Sequence, residues 1–179
     1  MGDVFMPKRT ILKFEHLRDD VRELFQLLER ETDMGVVLIG AAFLDTTIGT
    51  LLSQFFIQSN TAKDLLEKGI LGDFAVRARL AYVLGLISKD AFRDIVSIAE
   101  IRNTFAHHHL ALSFNSEDVS TICRKLQYGS ETLKVFDIHE DLILPRTRFT
   151  LSVVSLSQRL LLDCLQTKRR VKLDPPLKL

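Results

Sequence analysis

The sequence is poor in glycine (8) and proline (4) over its 179 residues, and alternating apolar and polar stretches are nearly absent. Without that punctuation and that period-two pattern, hairpin-rich and sandwich folds are excluded, and helices joined by short connections are left. A surplus of charge is missing too, since 24 basic side chains face 23 acidic ones and the net charge is +1. Proteins that grip nucleic acid through phosphate contacts carry a basic excess, so direct DNA binding is not expected, a local patch apart. The two cysteines, Cys123 and Cys164, lie far apart among apolar neighbours with no metal-ligand spacing. They read as buried reduced thiols in a reducing cytoplasm. No glycine-rich phosphate loop, paired-cysteine motif or Ser-His-Asp ordering is present, and no strand precedes a dinucleotide-type turn. Neither a cofactor nor a metal is therefore expected. The first ten residues are too short and mixed for a secretion signal, and a cytoplasmic location is expected.

Apolar residues make up 46% and charged residues 26% of the chain, the composition of a folded globular protein. The expectation is one all-α domain over residues 1–179, a bundle of six or seven helices, with residues 1–10 and 171–179 as frayed ends. Leu17, Val21, Leu24, Phe25 and Leu28 recur at helical spacing in a first helix from Ile11 to about Glu31. Asp33 is expected to cap a second helix running to about Gln58, apolar on almost every side and therefore central. Its run from Gly35 to Ile57 is long enough to be weighed as a membrane span. Asp45, Gln54 and several Thr and Ser residues argue against that, and the segment reads as a core helix with no membrane partner. Small residues along it (Gly40, Ala41, Ala42, Gly49) would let a neighbour approach closely. Further helices are expected over Ala62–Glu67, Asp73–Ile87, Lys89–His108 behind an N-capping Ser88, and Glu117–Gln127 behind Ser116. A last helix is expected from Arg146 to about Arg170, with Pro145 in its first turn. Ser130–Leu144 is the least regular stretch.

The segment Ile101-Arg102-Asn103-Thr104-Phe105-Ala106-His107-His108-His109 carries the most chemistry. Arg102-Asn103, three residues, then His107 resembles the motif of the HEPN superfamily, small helical bundles that include many metal-independent ribonucleases. That resemblance implies Arg102 on the scissile phosphate and His107 in proton transfer or backbone positioning, at a homodimer interface. The chemistry is reasonable, because cleavage through the 2′-hydroxyl needs a group titrating near neutrality and a fixed cation. On an ideal helix His107 lies roughly 140° around from Arg102, and His109 only about 20° away. His107 fits the motif and a frayed helix end; His109 is the backup on the same-face argument. The alternative use of these histidines is structural, since a helix C-terminus favours cationic side chains. Three consecutive helical histidines point in different directions and do not converge on one metal ion.

A longer stretch, Leu71-Gly72-Asp73-Phe74-Ala75-Val76-Arg77-Ala78-Arg79-Leu80-Ala81-Tyr82-Val83-Leu84-Gly85-Leu86-Ile87, resembles the core of the bacterial mannitol operon repressor family. The pattern there is Gly-Asp, Arg-x-x-Leu, Tyr-x-Leu-Gly, followed by an Ile-Arg…His segment, and the similarity spans about Leu38 to Leu126. The resemblance implies an all-helical transcriptional regulator without a helix-turn-helix, acting through a protein partner and as a homodimer. The Arg-Asn…His segment is closer to the ribonuclease-like pattern than a typical mannitol repressor is, so RNA is the partner implied by the second reading. Leu110 and Ala111 depart from the His-x-Tyr ending of one toxin subgroup.

Arg77, Arg79, Asp45 and Glu100 are polar residues on otherwise apolar stretches, and an internal pair of Asp45 with Arg77 or Arg102 is expected. Such a buried Arg102 would make Arg102→Ala more damaging than a surface change. Lys168-Arg169-Arg170…Lys172 is either a phosphate-contacting patch or a solvated helix end. A nuclease requires Arg102 and the histidine exposed in one cleft. An interaction protein requires Arg102 in a salt bridge and an apolar patch elsewhere.

Overall fold

The structure, a computed structural model, describes residues 17–67, 69–107, 112–130 and 143–169. Among them every regular element is helical: α1 (Leu17–Arg30), α2 (Asp33–Phe55), α3 (Asn60–Glu67), α4 (Phe74–Val83), α5 (Lys89–His107), α6 (Glu117–Arg124) and α7 (Pro145–Gln166). A 3-10 turn over Ile70–Gly72 precedes α4, and a further helical turn occupies 127–130. The expectations for the chain ends, for most of the loop after Gly129 and for His109 fall outside the described residues.

The centre is α2, as its near-continuous apolar sequence requires. Val36, Val37, Leu44, Ile48, Leu51 and Leu52 are fully buried, and α1, α4, α5 and α7 pack around it. By length and composition alone α2 could cross a membrane. Its sides are instead taken up by these helices, and the hydroxyls of Thr47 and Thr50 donate to carbonyls one turn back, Phe43 O and Thr46 O. A Cβ at Gly40 would lie 3.2 Å from the Val153 side chain. The missing side chain is what brings α7 this close, and Phe149, Val153, Leu156 and Leu160 of α7 close the core. Phe105, Phe114 and Phe149 continue it as a chain of tilted rings with centroids 5.8 and 5.3 Å apart.

Several helix ends differ from the sequence expectation, each for a local reason. Thr32, not Asp33, caps α2, its hydroxyl accepting from Gly35 N at 3.2 Å. The Asp33 carboxylate is engaged elsewhere, accepting from Phe114 N and from Arg146 Nη1. Gly85 does not continue α4 but ends it, at φ +71°, with Leu86 N donating to Ala81 O in the manner of a Schellman cap. Ser88 does cap α5, accepting from Ala91 N, whereas the Ser116 hydroxyl accepts from Ser113 N and leaves α6 without a side-chain cap. Both cysteines are free and buried, and burial pushes each thiol up to about 12.

Asp94 of α5, almost fully buried, supplies the start of the turn at 127–130. Its carboxylate accepts from Gln127 N and Tyr128 N at 2.9 Å, a cap delivered from another helix. Burial pushes this carboxyl up, and the two amide donors oppose the shift only in part. The folded state therefore binds the proton more tightly than the unfolded chain. This contribution to stability is full below the unfolded value of about 3.9 and is lost as pH rises through the folded value. In urea titrations across the acid range, Asp94→Asn should flatten that fall, leaving the part due to Asp163, which burial shifts the same way. An unchanged slope would contradict the assignment. Asp94→Ala, which bares both amides, should cost about 1–3 kcal/mol, with the larger loss at acid pH.

Candidate functional site

Ile101 and Phe105 turn inward from α5 and are fully buried, so the positions between and beyond them turn outward. Arg102, Asn103 and His107 are all exposed, and Arg102 Nη1 donates to Asn103 Oδ1 at 3.0 Å. α5 is unbroken through His107, so the helical offset of roughly 140° between Arg102 and His107 holds. Arg102 borders a cleft of about 370 Å³ between α2, α3, α4 and α5, and His107 does not line it. Within one chain the two motif residues thus stand apart.

The cleft has apolar walls, Leu38, Ala42, Leu66 and Phe74, and a charged floor made by Asp45 and Arg77. Arg77 is 4% exposed and is held on four sides. Nη1 donates to Asp45 Oδ1 at 2.8 Å and to Asp45 O at 3.3 Å, Nη2 to Leu66 O at 2.7 Å, and Nε to Leu71 O at 2.5 Å. One guanidinium so joins α2, the end of α3, the 3-10 turn and α4. Gly49 makes room for it, because a Cβ there would sit 3.2 Å from Arg77 Nη1. Of the two partners considered for Asp45, the structure selects Arg77. Arg102 lies outside the buried pair, and the expectation that it is a core cation is corrected: Ile101 and Phe105 occupy the inward positions of that turn. Arg79 and Glu100 are exposed as well.

Sequence reasoning passed over three further charged positions. Arg146, at the start of α7, pairs with Asp33 at 2.7 Å and also donates to Leu28 O and Glu31 O, closing the end of α1. Arg148 is buried and donates from Nε to Leu126 O and from Nη2 to the Ser130 hydroxyl. Asp163 is buried near the end of α7 beside Cys164. For Arg148 the available signal was a charged residue in a helical frame with apolar neighbours at helical spacing, Leu144, Pro145 and Leu151; Asp163, with Arg159, Gln166 and Thr167 at those spacings, offered no such signal.

A family model described as mannitol repressor, MtlR, matches residues 18–160 of this chain. Among solved structures, a possible transcriptional regulator YggD from Shigella flexneri 2a superposes with a TM-score of 0.63 at 18% identity. That alignment covers 84% of this chain and 99% of the other. The MtlR–HPr complex from Escherichia coli gives 0.60 at 20% identity, covering 80% and 98%. No curated protein matches the sequence.

The two arginines of the cleft should separate cleanly in denaturation experiments. Arg77→Met removes the ion pair with Asp45 and the donors to three carbonyls and should cost about 3–5 kcal/mol. Arg102→Ala should stay within about 0.5 kcal/mol of the parent. Equal losses for the two variants would show that Arg102 bears on the core after all.

Proposed function

Because this chain belongs to the mannitol repressor family, we propose that it is a regulator of transcription that works by binding another protein rather than by reading DNA itself. The observation that carries the reading is the family match over residues 18–160. A neighbour of the same fold, MtlR of Escherichia coli, was solved in complex with HPr, and HPr is the first partner to test here. The surface offers a place for such a contact. Phe56, Ile57, Ala62 and Leu65 line an apolar groove beside α3, and Ile70 just beyond is 81% exposed. Apolar area of this kind on a polar surface marks protein contact sites. Homodimer formation and a cytoplasmic location belong to the same reading.

The ribonuclease reading has less support. Arg102 and His107 border different faces of α5, so a joint site would need a second copy to bring its histidine to Arg102. The exposure of Arg102 keeps it at a cleft where a partner could use it, as a charged contact rather than as half of an acid–base pair.

Titration calorimetry with HPr should show saturable binding in the micromolar range, weakened at least about tenfold by Leu65→Glu with the helical signal intact. Cleavage of a mixed RNA pool in chelator should be absent both for the parent and for Arg102→Ala with His107→Ala. Cleavage by the parent that disappears in the folded double variant would overturn the regulator reading in favour of the nuclease.

A further inference from the structure

The end of α7, the last residue of α2 and the turn at 85–88 border an open cavity of about 630 Å³ that shares no lining residue with the Arg102 cleft. Arg159, Asp163, Lys168 and Arg169 are among its lining residues. Asp163 is 7% exposed, and its two carboxylate oxygens are treated differently. Oδ1 accepts from Arg159 Nε at 3.0 Å, while Oδ2 is buried with no hydrogen-bond partner among the described residues. A buried acceptor left without a donor is costly, and burial already pushes this carboxyl up.

The segment that follows α7 is fastened over the cavity. Thr167 Oγ1 donates to Asp163 O at 2.6 Å and Arg169 Nε donates to Gln54 O at 3.3 Å, which holds Lys168 and Arg169 at the rim. The site therefore combines three cations with one unsatisfied buried acceptor. The carbonyls at the end of α7 contribute only about half a negative charge, so the cationic side prevails. A cationic ligand would suit Oδ2 but meet three like charges. An anion with no donor would suit the rim but face a bare carboxylate oxygen.

We infer that this cavity binds a small oxyanion of the phosphate class that carries its own O–H donor. Arg159, Lys168 and Arg169 neutralise the anion, and Asp163 Oδ2, which side-chain movement must first uncover, accepts its hydroxyl. The volume far exceeds the roughly 30 Å³ share of a single water and accommodates either free phosphate or the phosphate end of a small hydroxylated ester. The inference does not depend on the regulatory reading.

The test compares inorganic phosphate, glycerol phosphate and sulfate by calorimetry at neutral pH and fixed ionic strength, using the full chain. Sulfate has the charge but no O–H, and a site built on a hydrogen bond rejects an analogue that lacks it. The parent should bind phosphate or glycerol phosphate at least about tenfold more tightly than sulfate; the stronger of the two identifies free anion or ester. Asp163→Asn, whose amide can donate, should lose that preference. Arg169→Ala, an exposed position that spares the fold, should weaken all three anions together. Equal affinity of the parent for phosphate and sulfate, or no saturable binding of either phosphate, would overturn the proposal. A preference that survives in folded Asp163→Asn would do the same.

Discussion

Most of this structure hangs on the ion pair between Arg77 and Asp45. Burying a guanidinium costs several kcal/mol unless its donors are used, and here four hydrogen bonds leave Arg77 for three separate segments. The consequence is directional. α3 and the 3-10 turn have little apolar surface to bury, and Leu66 is their one fully buried side chain. What fixes their position against α2 is the planar fork of one arginine, which lysine with its single ammonium could not reproduce. The absence of a side chain at Gly49 belongs to the same arrangement, since a Cβ there would press on the guanidinium.

The periodic part of the fold was legible in the sequence. Apolar residues at helical spacing located the helices, the unbroken apolar run marked α2 as central, and Asp45 within it demanded a buried partner. Helix ends were harder, because they turn on which of two neighbouring side chains takes a free amide. Thr32 and Asp33 are equally good candidates by type, and the choice is made by Arg146, 113 residues on from Asp33. Long-range pairs of this sort leave no trace in a periodicity. The same limit explains Arg102, considered as a buried partner of Asp45: the inward line through Ile98, Ile101 and Phe105 rotates it to the surface.

That rotation bears on function. A short Arg-Asn…His pattern can be kept by a helix whose two polar residues never meet, because five residues along an α-helix turn the side chain roughly 140°. The motif by itself therefore says little about catalysis within one chain. The family match, extending over 143 residues, constrains far more positions and fits the observed packing from α1 to α7.

The buried charges, and the partly buried Arg146 with them, share one further feature. Thr32, Gly85 and Ser88 close helix ends locally, but at several other ends the loose amides and carbonyls are met by side chains from elsewhere in the fold. Arg77 takes carbonyls at the end of α3, Arg146 those at the end of α1, and Asp94 the first amides of the turn at 127–130. Arg148 serves Leu126 O in the same way. Each of these charges thereby has its desolvation offset by backbone groups that would otherwise be bare. Asp163 breaks the pattern. It is as deeply placed as the others, yet one of its oxygens meets neither a helix end nor a cation among the described residues, and it borders a cavity ringed with positive charge. Among the described residues Arg77, Asp94 and Arg148 each close a structural gap, and the open oxygen of Asp163 is the place where a group from outside the chain would do the same.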